Sequence, residues 1–261
     1  MTIGAQSLTC SVENSIATVT LNHPPVNALT PELLTELELA LQGLAKDDAV
    51  KVVIITGTGR NFVAGADITF LATLSTAKQG MEMALRGQAV LHAIECFEKP
   101  VLAAINGTCL GGGLELALCC HIRVAAEGAR LGLPEINLGI IPGFGGTQRL
   151  ARLIGVSKAL QMILTGDPIS AAEAKALGIV SQVVPPEDLL RQTEGLARRI
   201  ASKGLLAAQT ALRAVREGLQ LSLPEALYYE AGLFGELCES MDKREGVAAF
   251  LEKRQPDFRG R

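Results

Sequence analysis

The chain has 261 residues, 48% of them apolar and 20% charged, with a formal net charge of −3. That is enough chain to bury a sizeable core in one or two domains. With no Trp, two Tyr, seven Phe and no basic tract, the composition argues against a base-stacking or polyanion-binding surface.

The opening MTIGAQSLTCSVENSIATVTL lacks the cationic start, apolar stretch and small-residue site of a secretory signal, and it is not Arg-rich like an import peptide. Further along, no apolar run is long enough to span a bilayer. A soluble cytoplasmic protein is the expectation. The six cysteines (Cys10, Cys96, Cys109, Cys119, Cys120 and Cys238) are not in metal-ligand or CxxC spacing, and several lie in apolar runs. They read as free thiols in a reducing compartment.

Short β-branched runs predict strands at IATVTL (16–21), VKVVIITG (50–57), VLAAING (101–107), HIRVAAE (121–127) and GIVSQVV (178–184). Between them lie helical patterns. TPELLTELELALQGLAKD opens with Thr30 as N-cap and Pro31 at the first helical position, and its leucines recur at three- and four-residue spacing. AKQGMEMALRGQAVLHAIECF is a second amphipathic segment; GGTQRLARLIG is a third, closed by Gly155. Alternation of strand and helix predicts an α/β body. Beyond Pro185–Pro186 only helical patterns remain, so the expected division is a body over residues 1–199 and a helical region over 200–261. The apolar residues of that tail must pack on the body or on another subunit.

Three stretches concentrate glycine and proline: NFVAGADI (61–68), NGTCLGGGLELAL (106–118) and GLPEINLGIIPGFGGTQRL (132–150). The triplet Gly111–Gly113 precedes an apolar helical pattern. Such a turn is either a tight packing device or a helix N-terminus presenting free N–H groups to an anion. It fits neither GxGxxG nor GxxxxGK[ST]. Glu115 follows within the first turn, among Leu114, Leu116, Ala117 and Leu118, with no solvated face. A buried, unpaired carboxylate costs several kcal/mol or gives up its charge. Glu135 sits in LPEI, also in apolar company. It is either a loop glutamate paired with an arginine such as Arg130, or one half of an acid/base pair with Glu115. Asp67 reads equally as a cap or a ligand. His23, His92 and His121 read as structural, the Cys119–Cys120 pair as inert, and no Ser lies in a GxSxG elbow.

Taken together, these stretches resemble the crotonase (enoyl-CoA hydratase/isomerase) superfamily. NFVAGADI resembles its first oxyanion loop, residues 105–150 its central signature, REGVAAFLEKRQPDF its last helix and NHPPVNALT its substrate-proximal loop. The resemblance covers essentially the whole chain. It implies an α/β crotonase spiral of ββα units with a C-terminal helical region. It implies an acyl-CoA substrate, no separate cofactor because coenzyme A belongs to the substrate, no metal, and trimers that pair into hexamers. By position it implies that the Ala66 and Gly112 N–H groups receive the thioester oxygen. Glu115 would activate water and Glu135 would exchange the proton at C2. Val26, Ala64, Ala66, Asp67 and Ile68 would line the CoA site. Two departures stand out: Thr69–Phe70 replace the lysine common after AGADI, and PPV replaces a basic residue common before NAL. The glutamate pair favours enoyl-CoA hydration. Isomerisation or a pathway-specific dehydration is the alternative. A non-catalytic CoA- or RNA-binding homologue is disfavoured by that pair and by the lack of a basic patch.

Overall fold

The computed structural model describes residues 3–4 and 7–260. In chain order its strands are β1 (Ile3–Gly4), β2 (Leu8–Glu13), β3 (Ile16–Leu21), β4 (Val52–Gly57), β5 (Asn61–Val63), β6 (Val101–Ile105), β7 (Thr108–Leu110), β8 (Ile122–Ala126), β9 (Arg130–Gly132), β10 (Ile169–Ser170) and β11 (Gln182–Val184). The α-helices are α1 (Pro31–Lys46), α2 (Ile68–Leu71), α3 (Ala77–Glu95), α4 (Gly112–Cys119), α5 (Gly146–Ile154), α6 (Val156–Thr165), α7 (Ala171–Ala176), α8 (Leu189–Ala201), α9 (Leu205–Gly218), α10 (Leu223–Cys238) and α11 (Met241–Leu251).

Two sheets share the strands. The larger runs β1-β2-β3-β4-β6-β8-β11 and the smaller β10-β9-β7-β5. From β3 onward the larger sheet is parallel, as are β5, β7 and β9. Each unit therefore places its first strand in the larger sheet and its second in the smaller, then returns through a helix: β4–β5–α3, β6–β7–α4, β8–β9–α5. This is a spiral of ββα units.

Continuous apolar runs such as VVII and VLAAI arise because the larger sheet is covered on both faces. Val52, Ile54, Leu102 and Ala104 face α8, through Leu189 and Ala197. Their neighbours Val53, Ile55, Ala103 and Ile105 face the main core with α1, α3 and α4. Helix α1 begins as its sequence indicates: Thr30 Oγ1 accepts from Leu33 N at 3.1 Å, and Pro31 is the first helical residue. Such a cap contributes about 1 kcal/mol. Gly155 ends α5 at φ +84°, and α6 starts at the next residue.

One strand departs from expectation. Of residues 178–184 only Gln182–Val184 pair in the sheet. Gly178, at φ +78°, turns the chain out of α7, and Ile179 and Val180 direct their N–H groups to Ala174 O. Their buried side chains fill a loop, so burial without strand geometry explains the apolar run. Helix α8 packs on the larger sheet, whereas α9, α10 and α11 pack in succession on one another. Among the described residues, no helix is long and apolar enough to cross a membrane.

Candidate active site

Strand β7 runs into Gly111, whose φ of +53° and ψ of −125° suit glycine alone. The first intrahelical bond of α4 is Glu115 N to Gly111 O at 3.0 Å, so the N–H groups of Gly112, Gly113 and Leu114 precede the ladder. A Cβ on Gly113 would lie 2.1 Å from Val63 O: α4 is pressed against β5 too closely for any side chain. A Cβ on Gly112 would lie 3.6 Å from Ala66 N, so these two stretches of backbone converge. Gly65 O accepts from Leu29 N at 2.9 Å. In a trans peptide the Ala66 N–H points opposite to Gly65 C=O, hence away from Leu29 N. The two positions that the resemblance assigns to the thioester oxygen are thus side by side.

Every residue of α4 is buried, Glu115 at 2% exposure. Its Oε1 accepts from Phe144 N at 2.8 Å and Gly146 N at 2.7 Å. Burial raises its pKa to about 7; the Glu135 charge adds to the rise, and the two backbone donors oppose it. The clamp around it has its own support. Arg149 donates to Phe144 O at 3.0 Å and to Glu95 Oε2 at 2.8 Å, which fixes the turn that carries both donors. A Cβ on Gly146 would crowd Glu115 Cγ and Oε1 at 3.0 Å, so Glu115 would have to shift to admit one.

Glu135 lies on the 3₁₀ turn Pro134–Leu138, directly after β9. Its Oε2 is buried without a hydrogen-bond partner, and burial raises its pKa. Arg130 donates instead to Pro168 O, so the arginine-paired alternative falls. Glu135 Oε1 would be 2.9 Å from a Cβ on Gly111, which puts this carboxyl at the mouth of α4 beside Gly112.

The loop carrying Val26 is tied to the AGAD stretch: Ala64 N donates to Val26 O at 3.1 Å, and Leu29 and Ala66 form a parallel bridge. Asp67 caps α2, accepting from Thr69 N at 2.8 Å and from the Thr69 hydroxyl. Ile68 is exposed at the start of α2. The structure therefore gathers Val26, Ala64, Ala66, Asp67 and Ile68 on one rim. Next to it, a cavity of about 310 Å³ is lined by Leu29, Leu34, Phe70, Leu74, Met83 and Arg86, among others. Leu29 is common to cavity and amide pair, since its Cδ1 lies 3.1 Å from the Gly112 Cβ position.

His121 Nδ1 accepts from Val101 N and His92 faces Glu95 at the surface, whereas His23 Nδ1 is buried with no hydrogen-bond partner. Cys119 and Cys120 are buried, which pushes both thiols up. Among the described residues, no group of three or more His, Cys, Asp and Glu could hold a metal ion.

The family model for enoyl-CoA hydratase/isomerase matches residues 11–261. This chain belongs to that family. The crotonyl-CoA hydratase of Syntrophomonas wolfei is 47% identical over 248 residues, covering 94% of this chain and 95% of that protein. The 2,3-dehydroadipyl-CoA hydratase of Escherichia coli is 43% identical, covering 97% and 99%. The crystal structure of an enoyl-CoA hydratase from Bacillus anthracis superposes with a TM-score of 0.94 at 40% identity, covering 98% of this chain and 100% of that one. Within the family frame, the Phe144–Gly146 clamp and Arg149 went unrecognised from sequence. The signal for them was GFGGTQR, which the sequence placed in a glycine-rich stretch and at the start of a helix, with nothing to mark its N–H groups as donors to Glu115.

Proposed function

We propose that this protein is an enoyl-CoA hydratase that adds water reversibly across the 2,3 double bond, with the thioester oxygen between Ala66 N–H and Gly112 N–H. The observation that carries the reading is the meeting of two burial-raised carboxyls at the amide pair, one of them with an unpartnered oxygen. Two carboxyls around one site hold a shared proton rather than two free charges.

Glu115, with Oε1 fixed by two backbone donors, offers its other oxygen to water. It takes the water proton as the oxygen bonds to C3. The π pair of C2=C3 moves into C1–C2, and the carbonyl pair moves onto the thioester oxygen. The two N–H groups stabilise that oxyanion, each donor contributing roughly 2.7–4 kcal/mol when tested by removal in such sites. Glu135 stands beside Gly111 and Gly112, nearer to the carbonyl end, and gives its proton to C2. Transfer of the proton from Glu115 back to Glu135 resets the pair. In reverse, the same groups dehydrate a 3-hydroxyacyl-CoA.

Val26, Ala64, Asp67 and Ile68 form the CoA rim, and coenzyme A enters as part of the substrate, with no separate cofactor. The six free cysteines fit a reducing cytoplasm. Helices α9–α11 expose Leu219, Leu223, Tyr228, Phe234 and Phe250 at 70–85%, more apolar surface than a monomer ordinarily leaves in water. This supports assembly through residues 200–261, which the family resemblance casts as a trimer or a dimer of trimers.

The test is loss of the conjugated thioester absorbance with crotonyl-CoA, followed by identification of the 3-hydroxyacyl product. Double-bond migration without hydration would overturn the assignment.

A further inference from the structure

Helix α3 grips the turn that carries the donors to Glu115. Gly87 lies against the Phe144 ring, where a Cβ would collide with Phe144 Cδ1 and Cε1. Ala84 Cβ lies 3.8 Å from a Cβ placed on Gly143. Between these contacts, Gln88 Nε2 donates to Gly143 O at 2.8 Å. The Gln88 atom facing that carbonyl is the amide nitrogen, because a carbonyl oxygen only accepts.

Gly143 O and Phe144 N belong to one peptide group. In a trans peptide the C=O and N–H point in opposite directions. Gln88 therefore holds the oxygen of the same unit whose N–H donates to Glu115 Oε1 at 2.8 Å. A donor on a peptide carbonyl strengthens the N–H at its other end. It also fixes the tilt of the peptide plane, and with it the direction of that N–H. The second donor to Glu115 has a separate support. Gly146 N shares its peptide with Gly145 O, which accepts from Gln148 N and Arg149 N at the start of α5. Gln88 thus supports the Phe144 half of the clamp.

We propose that Gln88 is a positioning residue for hydration: through the Gly143–Phe144 peptide it aims the N–H that fixes Glu115 Oε1, which leaves the other carboxyl oxygen directed at water. The proposal rests on the hydratase reading and extends it to a residue on α3 that acts through the backbone.

Gln88 is exposed and lies outside the apolar core, so its substitution leaves the fold in place. The charges that reach Glu115 come from Glu135 on the turn after β9, Arg149 on α5 and, when ionised, Cys119 on α4; Glu95 of α3 pairs with that same Arg149. Gln88→Met alters none of them. Methionine is close to glutamine in length and has neither a charge nor an N–H to donate.

The experiment measures kcat and KM for crotonyl-CoA from about pH 5 to 9 with the wild type, Gln88→Met, Glu115→Gln and the double variant. Gln88→Met should lower kcat about threefold to tenfold, the scale of one hydrogen bond, with KM changed less than about twofold. Its acid limb reports ionisation of Glu115 as the base. That limb should move to higher pH by about 0.5, because the weakened Phe144 N–H is one of the two donors that lower this pKa against burial. In the Glu115→Gln background the same substitution should change the residual kcat less than about twofold, since it acts through the carboxylate. An unchanged kcat, an equal loss in both backgrounds, or an acid limb that stays in place or moves down would overturn the proposal while leaving hydration intact. Absence of turnover by the wild type on every enoyl-CoA would overturn the hydratase reading itself. The carboxyl ¹³C titration of Glu115 then decides the backbone relay separately: Gln88→Met should move it to higher pH, and an unmoved titration would overturn the relay too.

Discussion

Glu115→Gln should make the protein more stable at pH 8 while destroying most of its activity. In the unfolded chain this carboxyl ionises near its ordinary value of 4.5, whereas in the folded protein burial holds the proton to about 7. Between those values the folded state binds more protons than the unfolded state, so stability falls as pH rises. Above about 7 both states are ionised and the cost is constant. At ~1.4 kcal/mol per pH unit, the gap between 4.5 and about 7 corresponds to roughly 3 kcal/mol. A glutamine keeps an acceptor oxygen for Phe144 N and Gly146 N, and it carries no charge to desolvate. The variant should therefore match the wild type near pH 4 and exceed it by up to about 3 kcal/mol at pH 8.

The assay is urea unfolding of both proteins across pH 4–8, at one fixed protein concentration because assembly shifts apparent stability. A stability difference that does not change with pH would refute the reasoning. So would a variant less stable than the wild type at pH 8. Hydration by the same variant should fall at least about 10²-fold, the usual scale for a general base.

Glu135→Gln should also lower kcat at least about 10²-fold. By removing a neighbouring charge, it should shift the Glu115 titration to lower pH, read by carboxyl ¹³C NMR; an unmoved titration means the two groups are not coupled. Gly112→Val puts a side chain within 3.1 Å of Leu29 and in the path to Ala66 N, so turnover should be lost with the helical circular dichroism kept. Gly146→Ala drives a methyl to 3.0 Å from Glu115 Cγ and Oε1, and kcat should fall more than KM rises; unchanged kcat would show that the clamp is not needed. Light scattering at micromolar concentration should give a trimer or hexamer, and a stable active monomer would remove residues 200–261 from assembly.

The features legible in the sequence were those whose cause is local. Thr30 and Pro31 announce α1 because a cap and a fixed φ act within one turn, and Gly155 ends α5 for the same reason. Glu115 was conspicuous because nothing around it in sequence could solvate it. Its actual partners lie 29 and 31 residues away, and no local pattern marks a backbone N–H as a donor to a distant carboxylate. Glu135 left two readings open for the same reason: whether Arg130 reaches it depends on where β10 delivers Pro168 O. The strands β5, β7 and β9 have three residues each, too few for an alternation to register. NFV and TCL therefore read as parts of glycine-rich stretches and RLG went unassigned, although all three form the scaffold of the proposed site. The run at 178–184 shows the converse: apolar composition reported burial correctly and geometry wrongly.

Those three short strands explain why the functional groups meet at all. They are parallel neighbours in the smaller sheet, so their C-terminal ends lie along one edge. Each strand hands the chain to one functional segment there. After β5 comes Ala66, after β7 come Gly112 and Glu115, and after β9 comes Glu135. The register holds the edges level, since Leu110 pairs with Gly132 and Gly111 N donates to Gly132 O at 2.9 Å. Sites at the carboxyl ends of parallel strands are a general outcome of such sheets. Here the consequence is specific: a shift of one residue between β7 and β9 would move Glu135 about 3.3 Å along the strand direction relative to Gly112. That displacement exceeds a hydrogen-bond length tolerance and would separate the proposed proton donor from the proposed oxyanion site. Gly132 fits here because a Cβ would lie 2.9 Å from Pro168 Cα, so β9 lies close against the chain entering β10, with β7 on its other side. The spacing of the proposed site is thus tied to close glycine backbone contacts in the smaller sheet, and the large apolar core packs against that sheet.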